Sequence, residues 1–197
     1  MKTVIVTGST GHPITLETIK DHLRIERGET IYDDELKSLR SAAIEMAQNI
    51  TGRKLMTQVW KSYYDEWPDE EYIELPYAPL QSIASSSGIY YTNSTSGTTH
   101  FGSSAWSADT VSEPGRIVLE NSESWPTDIL HQNNPIAITA TYGYSATSDI
   151  PESIIHACKL MIGHWFEQRE DTISGQNLQQ VPFASRALLA PYRVFSL

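Results

Sequence analysis

The stretch from Pro151 to Glu170, PESIIHACKLMIGHWFEQRE, constrains this chain more than any other. Ile154, Ile155, Cys158, Met161, Ile162, Trp165 and Phe166 recur at spacings of three and four, which draws one apolar stripe along a helix. Pro151 suits a first turn, where a missing N–H costs nothing, and Asp149 is close enough to help cap it. Glu152, Lys159 and Glu167 fall on the opposite face. Burying each large apolar side chain gives about 1.5–3 kcal/mol before entropy is charged. A helix this apolar needs a partner, so the spacing predicts the central core helix, with those seven residues as its packing face.

The matching surface lies in DDELKSLRSAAIEMAQNITG, from Asp33, where Leu36, Leu39, Ala43, Ala47 and Ile50 share a face and Ile44 and Met46 flank it. Asp33, Asp34 and Glu35 fill the first turn, where the helix dipole favours carboxylates. Gly52 provides the stop, with Arg53 and Lys54 just beyond. A shorter helix, Thr15 to Leu23, is capped by Thr15 and lined by Leu16, Ile19 and Leu23, and a polar turn, Glu26 to Glu29, follows it. Past a polar linker at 171–180, a last short helix spans Ala184 to Leu189 and stops at Pro191.

From Thr57 the period changes from helical to alternating. Gln58–Asp65 and Tyr72–Leu75 read as strands, as do segments at Ile83, Gly88–Thr92, Arg116–Leu119 and Ile136–Tyr142, with a Ser/Thr/Gly-rich hairpin tip at Asn93–Thr99. The expectation is an α+β fold: helices near 15–23, 33–51, 151–170 and 184–189, with an inserted antiparallel β region. We read 1–197 as a single domain made of an arm (1–12), a helical part (13–54 and 146–197) and the β insertion (55–145).

Candidate chemistry fails on spacing. Val4-Ile5-Val6-Thr7-Gly8-Ser9-Thr10-Gly11 imitates a dinucleotide-binding strand and turn, but His12-Pro13 stand where the third glycine and helix entry belong. Residues 1–12 are therefore read as a flexible or edge-pairing arm. The acidic group Asp65, Glu66, Asp69, Glu70 and Glu71 lacks a calcium-loop register, and Trp67-Pro68 interrupts it. His156, His164 and Glu167 have helical spacing, without the four-ligand set a structural zinc needs. Cys158 sits on the apolar stripe and reads as a small buried hydrophobe. The sequence yields no catalytic, cofactor-binding or metal-ligating residues.

At a formal net charge of −10, tight binding to nucleic acid is disfavoured, since that affinity rests on Lys and Arg neutralising phosphates. No apolar run nears the roughly 18 residues a spanning helix needs, and Val4–Val6 is too short for a secretory core of about 7–15 residues. A lone cysteine allows no internal disulfide, and we expect neither export nor membrane insertion.

Several segments, in order, resemble the head–tail connector (adaptor, or head-completion) proteins of tailed bacteriophages, in the longer variety with a β insertion. The first are Pro13-Ile14-Thr15-Leu16-Glu17 with His22-Leu23-Arg24, and Ala42-Ala43 running to Thr51-Gly52-Arg53-Lys54-Leu55. Ile73-Glu74-Leu75-Pro76, Pro79-Leu80-Gln81-Ser82-Ile83, Pro114-Gly115-Arg116-Ile117 and Ser124-Trp125-Pro126 follow. The last are Tyr142-Gly143-Tyr144, Ile150-Pro151-Glu152, His164–Glu170 and Leu188-Leu189-Ala190-Pro191-Tyr192-Arg193. The arm before His12 and the serine-rich Ser85–Ser104 depart from the pattern.

The resemblance implies a non-enzymatic virion component forming a homo-oligomeric ring, commonly about twelve subunits, in which each copy uses two different surfaces. It implies a place at the virion neck, after assembly in a bacterial host cytoplasm. There it meets the portal protein and the next stopper or tail-completion protein, and DNA slides through without specific binding. An acidic chain suits such a conduit, because like charge keeps phosphates off the wall. Leu188, Leu189, Tyr192, Arg193 and Phe195, within Val181–Leu197, are the expected assembly contacts, on a tail whose removal leaves the monomer folded. Two alternatives stay open on the residues alone. One is a carbohydrate-binding or tail-surface module on the tryptophan-rich β region (Trp60, Trp67, Trp106 and Trp125), and the other a small nucleotide-dependent enzyme on the glycine-rich opening.

Overall fold

A computed structural model describes residues 1–9, 11–168 and 183–194. The chain divides into two compact units, one of 1–10, 56–145 and 194–197, the other of 11–55 and 146–193.

In the helical unit, the stripe predicted over 151–170 forms α3, Glu152–Glu167, entered through Pro151. Residues 169 and 170 lie outside the described residues. Helix α3 packs against α1 (Leu16–Leu23), α2 (Asp33–Thr51) and α4 (Phe183–Leu189). Ile154, Cys158, Met161 and Ile162 are completely buried and Ile155 nearly so, as are Leu36, Ala43 and Ala47 of α2. The two alanines let the helices approach, and the Cys158 thiol donates weakly to the Ala43 carbonyl at 3.8 Å. Trp165 and Phe166 differ from expectation: both are half-buried. They lie in the last turn of α3, where the facing helix gives incomplete cover; Phe166 meets Tyr32 edge-on at 5.4 Å. Leu39 and Ile50 are half-buried too.

Local signals set the helix ends. The Thr15 hydroxyl accepts from the Thr18 N–H at 3.2 Å to open α1. Gly52 closes α2 at φ 71°, its N–H donating to the Gln48 carbonyl. One buried cation was not legible in the sequence. Lys20, 4% exposed, reaches across the 24–32 turn to the Glu29 carbonyl (2.5 Å) and the Asp33 carboxylate (2.6 Å). That turn is therefore tied from inside. Lys20→Met should cost about 2 kcal/mol by orphaning those acceptors, and a chemical-denaturation midpoint matching the wild type would disprove the tie.

The β unit is wholly antiparallel. Its larger sheet has the order β1 (Lys2–Thr7), β2 (Gln58–Tyr64), β9 (Ile136–Tyr142), β5 (Ile89–Thr92), β6 (Thr98–His100), and β4 (Leu80–Ile83) also pairs with β9. A second sheet orders β3 (Tyr72–Glu74), β8 (Arg116–Leu119), β7 (Trp106–Asp109). Register decides which face is core: Trp60↔Ala140, Ser62↔Ile138 and Tyr64↔Ile136 point one way, Val59↔Thr141, Lys61↔Thr139 and Tyr63↔Ala137 the other. The first face, with Ile89, Tyr91 and Tyr142, joins Ile73, Ile117 and Trp106 of the small sheet in one core.

The arm pairs: β1 runs antiparallel to β2 at the sheet edge, with Lys2↔Tyr63 and Val4↔Lys61 in register. Two strands were missed in the sequence. β6 overlaps the end of the predicted hairpin tip, and the short β7, Trp-Ser-Ala-Asp, has weak intrinsic strand preference.

Candidate assembly site

The C-terminal segment was the sequence-predicted contact surface, and the structure divides it. Leu189 is completely buried within the helical unit, as is Ser185 one turn earlier. Leu188 and Tyr192 are half-buried and Arg193 is exposed, while Phe195 lies outside the described residues. Leu189 is thus a core residue and no docking contact. The reason is that the short helix shares α3's apolar face rather than projecting from it. Only Leu188, Tyr192 and Arg193 are left as candidate contacts among the described residues. Phe183, at the start of α4, is 75% exposed and adds an apolar side chain within the predicted segment that had not been singled out.

The segment Thr51-Gly52-Arg53-Lys54-Leu55 anchors this end of the chain. The Thr51 hydroxyl donates to the Ala47 carbonyl at 2.7 Å and accepts from the Arg53 N–H at 3.3 Å. That turn aims Arg53, 8% exposed, so that its Nε donates to the Tyr192 carbonyl at 2.8 Å. Removing residues 183–197 would therefore strip Leu189 from a core and Tyr192 from a buried guanidinium. We expect the truncated chain to lose several °C of thermal midpoint, contrary to a tail that leaves the monomer folded, and an unchanged midpoint would reverse that conclusion.

Lys54 is also buried, and desolvation pulls its ammonium down to about 8, against a smaller opposing pull from Glu45. A folded pKa below the unfolded value means the native state binds fewer protons between about pH 8 and the normal lysine range. This group therefore adds stability as pH rises through that window, and its burial penalty is felt in full below it. Lys54→Met should remove this rise over pH 8–10; a pH profile superposable on the wild type would contradict it.

Trp165 borders a shallow groove with Leu39, Ala42 and Met46, edged by Glu45 and Asn49. Among the described residues no three His, Cys, Asp or Glu side chains converge as metal ligands would. His156 meets the ring of His22 edge-on at 6.4 Å, and His164 is half-buried. Burial pushes the Cys158 thiol up to about 12, the opposite of activation. Maleimide should label Cys158 only after unfolding, and native-state labelling at pH 7 would place the thiol at the surface.

In the β unit, Gly8 lies beyond an edge strand whose neighbour is antiparallel. This is not the strand–turn–helix that cradles a pyrophosphate. The tryptophans pack on one another instead of offering a platform. Trp67 and Trp125 stack 5.0 Å apart, Phe101 and Tyr91 close around Trp67, Trp106 is buried, and Trp60 meets Tyr77. The run Asp65–Glu71 is an exposed loop, apart from the half-buried Trp67 and Pro68. No helix among the described residues is long and apolar enough to cross a membrane.

A helical bundle carrying an inserted antiparallel sheet, with buried polar side chains spent on holding the chain together, defines a structural module. The chain belongs to the family of phage gp6-like head–tail connector proteins, whose sequence model matches residues 13–112, just over half of its length. It is accordingly a structural connector of the phage neck. No curated protein matches the chain.

Solved structures extend the likeness over the whole length. A chain in the neck of an empty gene transfer agent (GTA) particle computed with C6 symmetry matches at a TM-score of 0.80 and 21% identity, covering 100% of this chain and 97% of that one. A chain of the native GTA virion matches at 0.77 and 19%, and one from the native neck computed with C12 symmetry at 0.75 and 20%, with the same coverage. At these identities the likeness is one of fold.

Proposed function

We propose that this connector assembles as a closed ring of about twelve copies around the DNA channel of the neck. It sits between the portal protein and the next stopper or tail-completion protein, and assembles in the host cytoplasm. The full-length fold likeness to neck chains of particles treated with C6 and C12 symmetry carries this reading. The charge balance of −10 supports it, because an acidic lining repels phosphate and lets DNA slide. On this reading the helical and β units act as one connector domain, and Leu188, Tyr192 and Arg193 contribute to contacts with a neighbour or the portal.

Electron microscopy of the purified chain with its portal protein tests this. The expected image is a ring of density on the tail-facing side of the portal. A particle map in which the polypeptide sits away from the neck would end the reading.

A further inference from the structure

The β unit is electrically lopsided. It holds three cationic side chains, Lys2, Lys61 and Arg116, against eleven carboxylates, a formal balance of −8 out of the chain's −10. Yet the six strands of the larger sheet contain no Asp or Glu at all.

The register places what charge that sheet has. Lys2 pairs with Tyr63 and Lys61 with Val4, so both lysines stand on the face turned away from the small sheet, with Val4, Tyr63, Thr139 and Tyr90. Among the described residues neither lysine has an ion pair, whereas Arg116 is engaged by Asp109 at 2.9 Å. Val4, Ile5 and Val6 are 43%, 49% and 54% exposed along the free ladder edge of β1. Natural sheets usually protect such an edge with charge or proline.

Most carboxylates belong to the small sheet and the β2–β3 loop, which also comes up to Met1 at the start of β1. The β2–β3 loop, Asp65 to Glu71, is drawn to the small sheet: the Glu71 carbonyl accepts from the Leu119 N–H at 2.8 Å, and the Glu70 carbonyl from Trp125 Nε1 at 2.8 Å. Glu74 is on β3, and Glu120 and Glu123 follow β8. The outer face of the large sheet thus draws no carboxylate from its own strands and carries two lysines, without an ion pair among the described residues, beside exposed apolar side chains. The opposite side is densely acidic.

Resting on the ring reading above, we propose that the outer face of the large sheet, with its β1 edge, docks against the acidic small-sheet side of a second copy of this chain. The two surfaces differ, as a head-to-tail contact that closes into a ring requires. Opposite charge steers the encounter and fixes its polarity. The apolar edge of β1 gains the cover it lacks in the single chain.

The test is zero-length carbodiimide cross-linking of the full chain, mixed from isotopically light and heavy preparations at 50 mM salt. We expect mixed-isotope links from Lys2 or Lys61 to carboxylates within 65–74 or 113–123. We also expect K2E/K61E to weaken self-association at least tenfold by sedimentation, with an unchanged thermal midpoint, while K2R/K61R associates as the wild type. Oligomers whose mixed links map elsewhere, or K2E/K61E assembling normally, overturn this interface and leave the ring intact. A chain that stays monomeric and gives no mixed links overturns it as well, and so does duplex DNA binding at these lysines in place of self-association. Absence of the chain from the neck by microscopy would instead remove the ring reading itself.

Discussion

Replacing Gly143 by alanine should destabilise the β unit by about 3–4 kcal/mol, one of the largest effects a single methyl can have in this chain. Gly143 follows the last residue of β9 at φ +106°, where L side chains are strained whatever space they have. There is also no space. A Cβ built on this residue would lie 2.2 Å from the Met56 carbonyl oxygen and 3.0 Å from the Thr57 nitrogen, and both are backbone. The chain cannot step aside cheaply, because the Gly143 N–H donates to the Pro79 carbonyl at 2.9 Å and its own carbonyl accepts from Gln81 Nε2 at 2.7 Å. For a chain of this size the loss corresponds to roughly 10 °C of thermal midpoint. A midpoint within a degree or two of the wild type would show that this turn relaxes freely.

Met161→Ala should cost about 3–4 kcal/mol, from lost transfer energy plus the cavity left among residues that cannot collapse. Met161 is completely buried at the middle of the α3 stripe, beside Cys158 and Ile162, which are also fully buried. Trp165→Ala, one turn later, should cost about half as much despite the larger side chain, since half-buried Trp165 faces a surface groove. The comparison, made by urea denaturation of both variants, is sharper than either value alone. Equal losses, or a larger one at Trp165, would show that the last turn of α3 is covered in solution.

The α2–α3 packing was legible because it is local periodicity. Leu36, Ala43 and Ala47, with Ile154, Cys158, Met161 and Ile162, can be read off a 3.6-residue repeat without knowing the fold. Helix stops at Gly52 and the cap at Thr15 were legible for the same reason, since a cap is satisfied within four residues. The conduit chemistry rested on net charge, a property of composition. Two features of the candidate site could not be read this way. Leu189 has the same pattern whether its helix folds onto α3 or projects from it, and only the packing buries it. Arg53 meets a carbonyl 139 positions away, and no spacing rule reports that.

The sequence by itself determined the helices, most strands, the antiparallel class of the insert and the absence of a reactive motif, because each depends on neighbours a few residues apart. Tertiary structure decided which side chains are out of water at the element ends, where the arm pairs, and how charge is distributed. Lys2 and Lys61 are 59 positions apart in the chain and two registers apart in the sheet. The strands' lack of carboxylates can be read from the sequence, but the face the two lysines share exists only once strand pairing sorts alternate residues onto opposite sides.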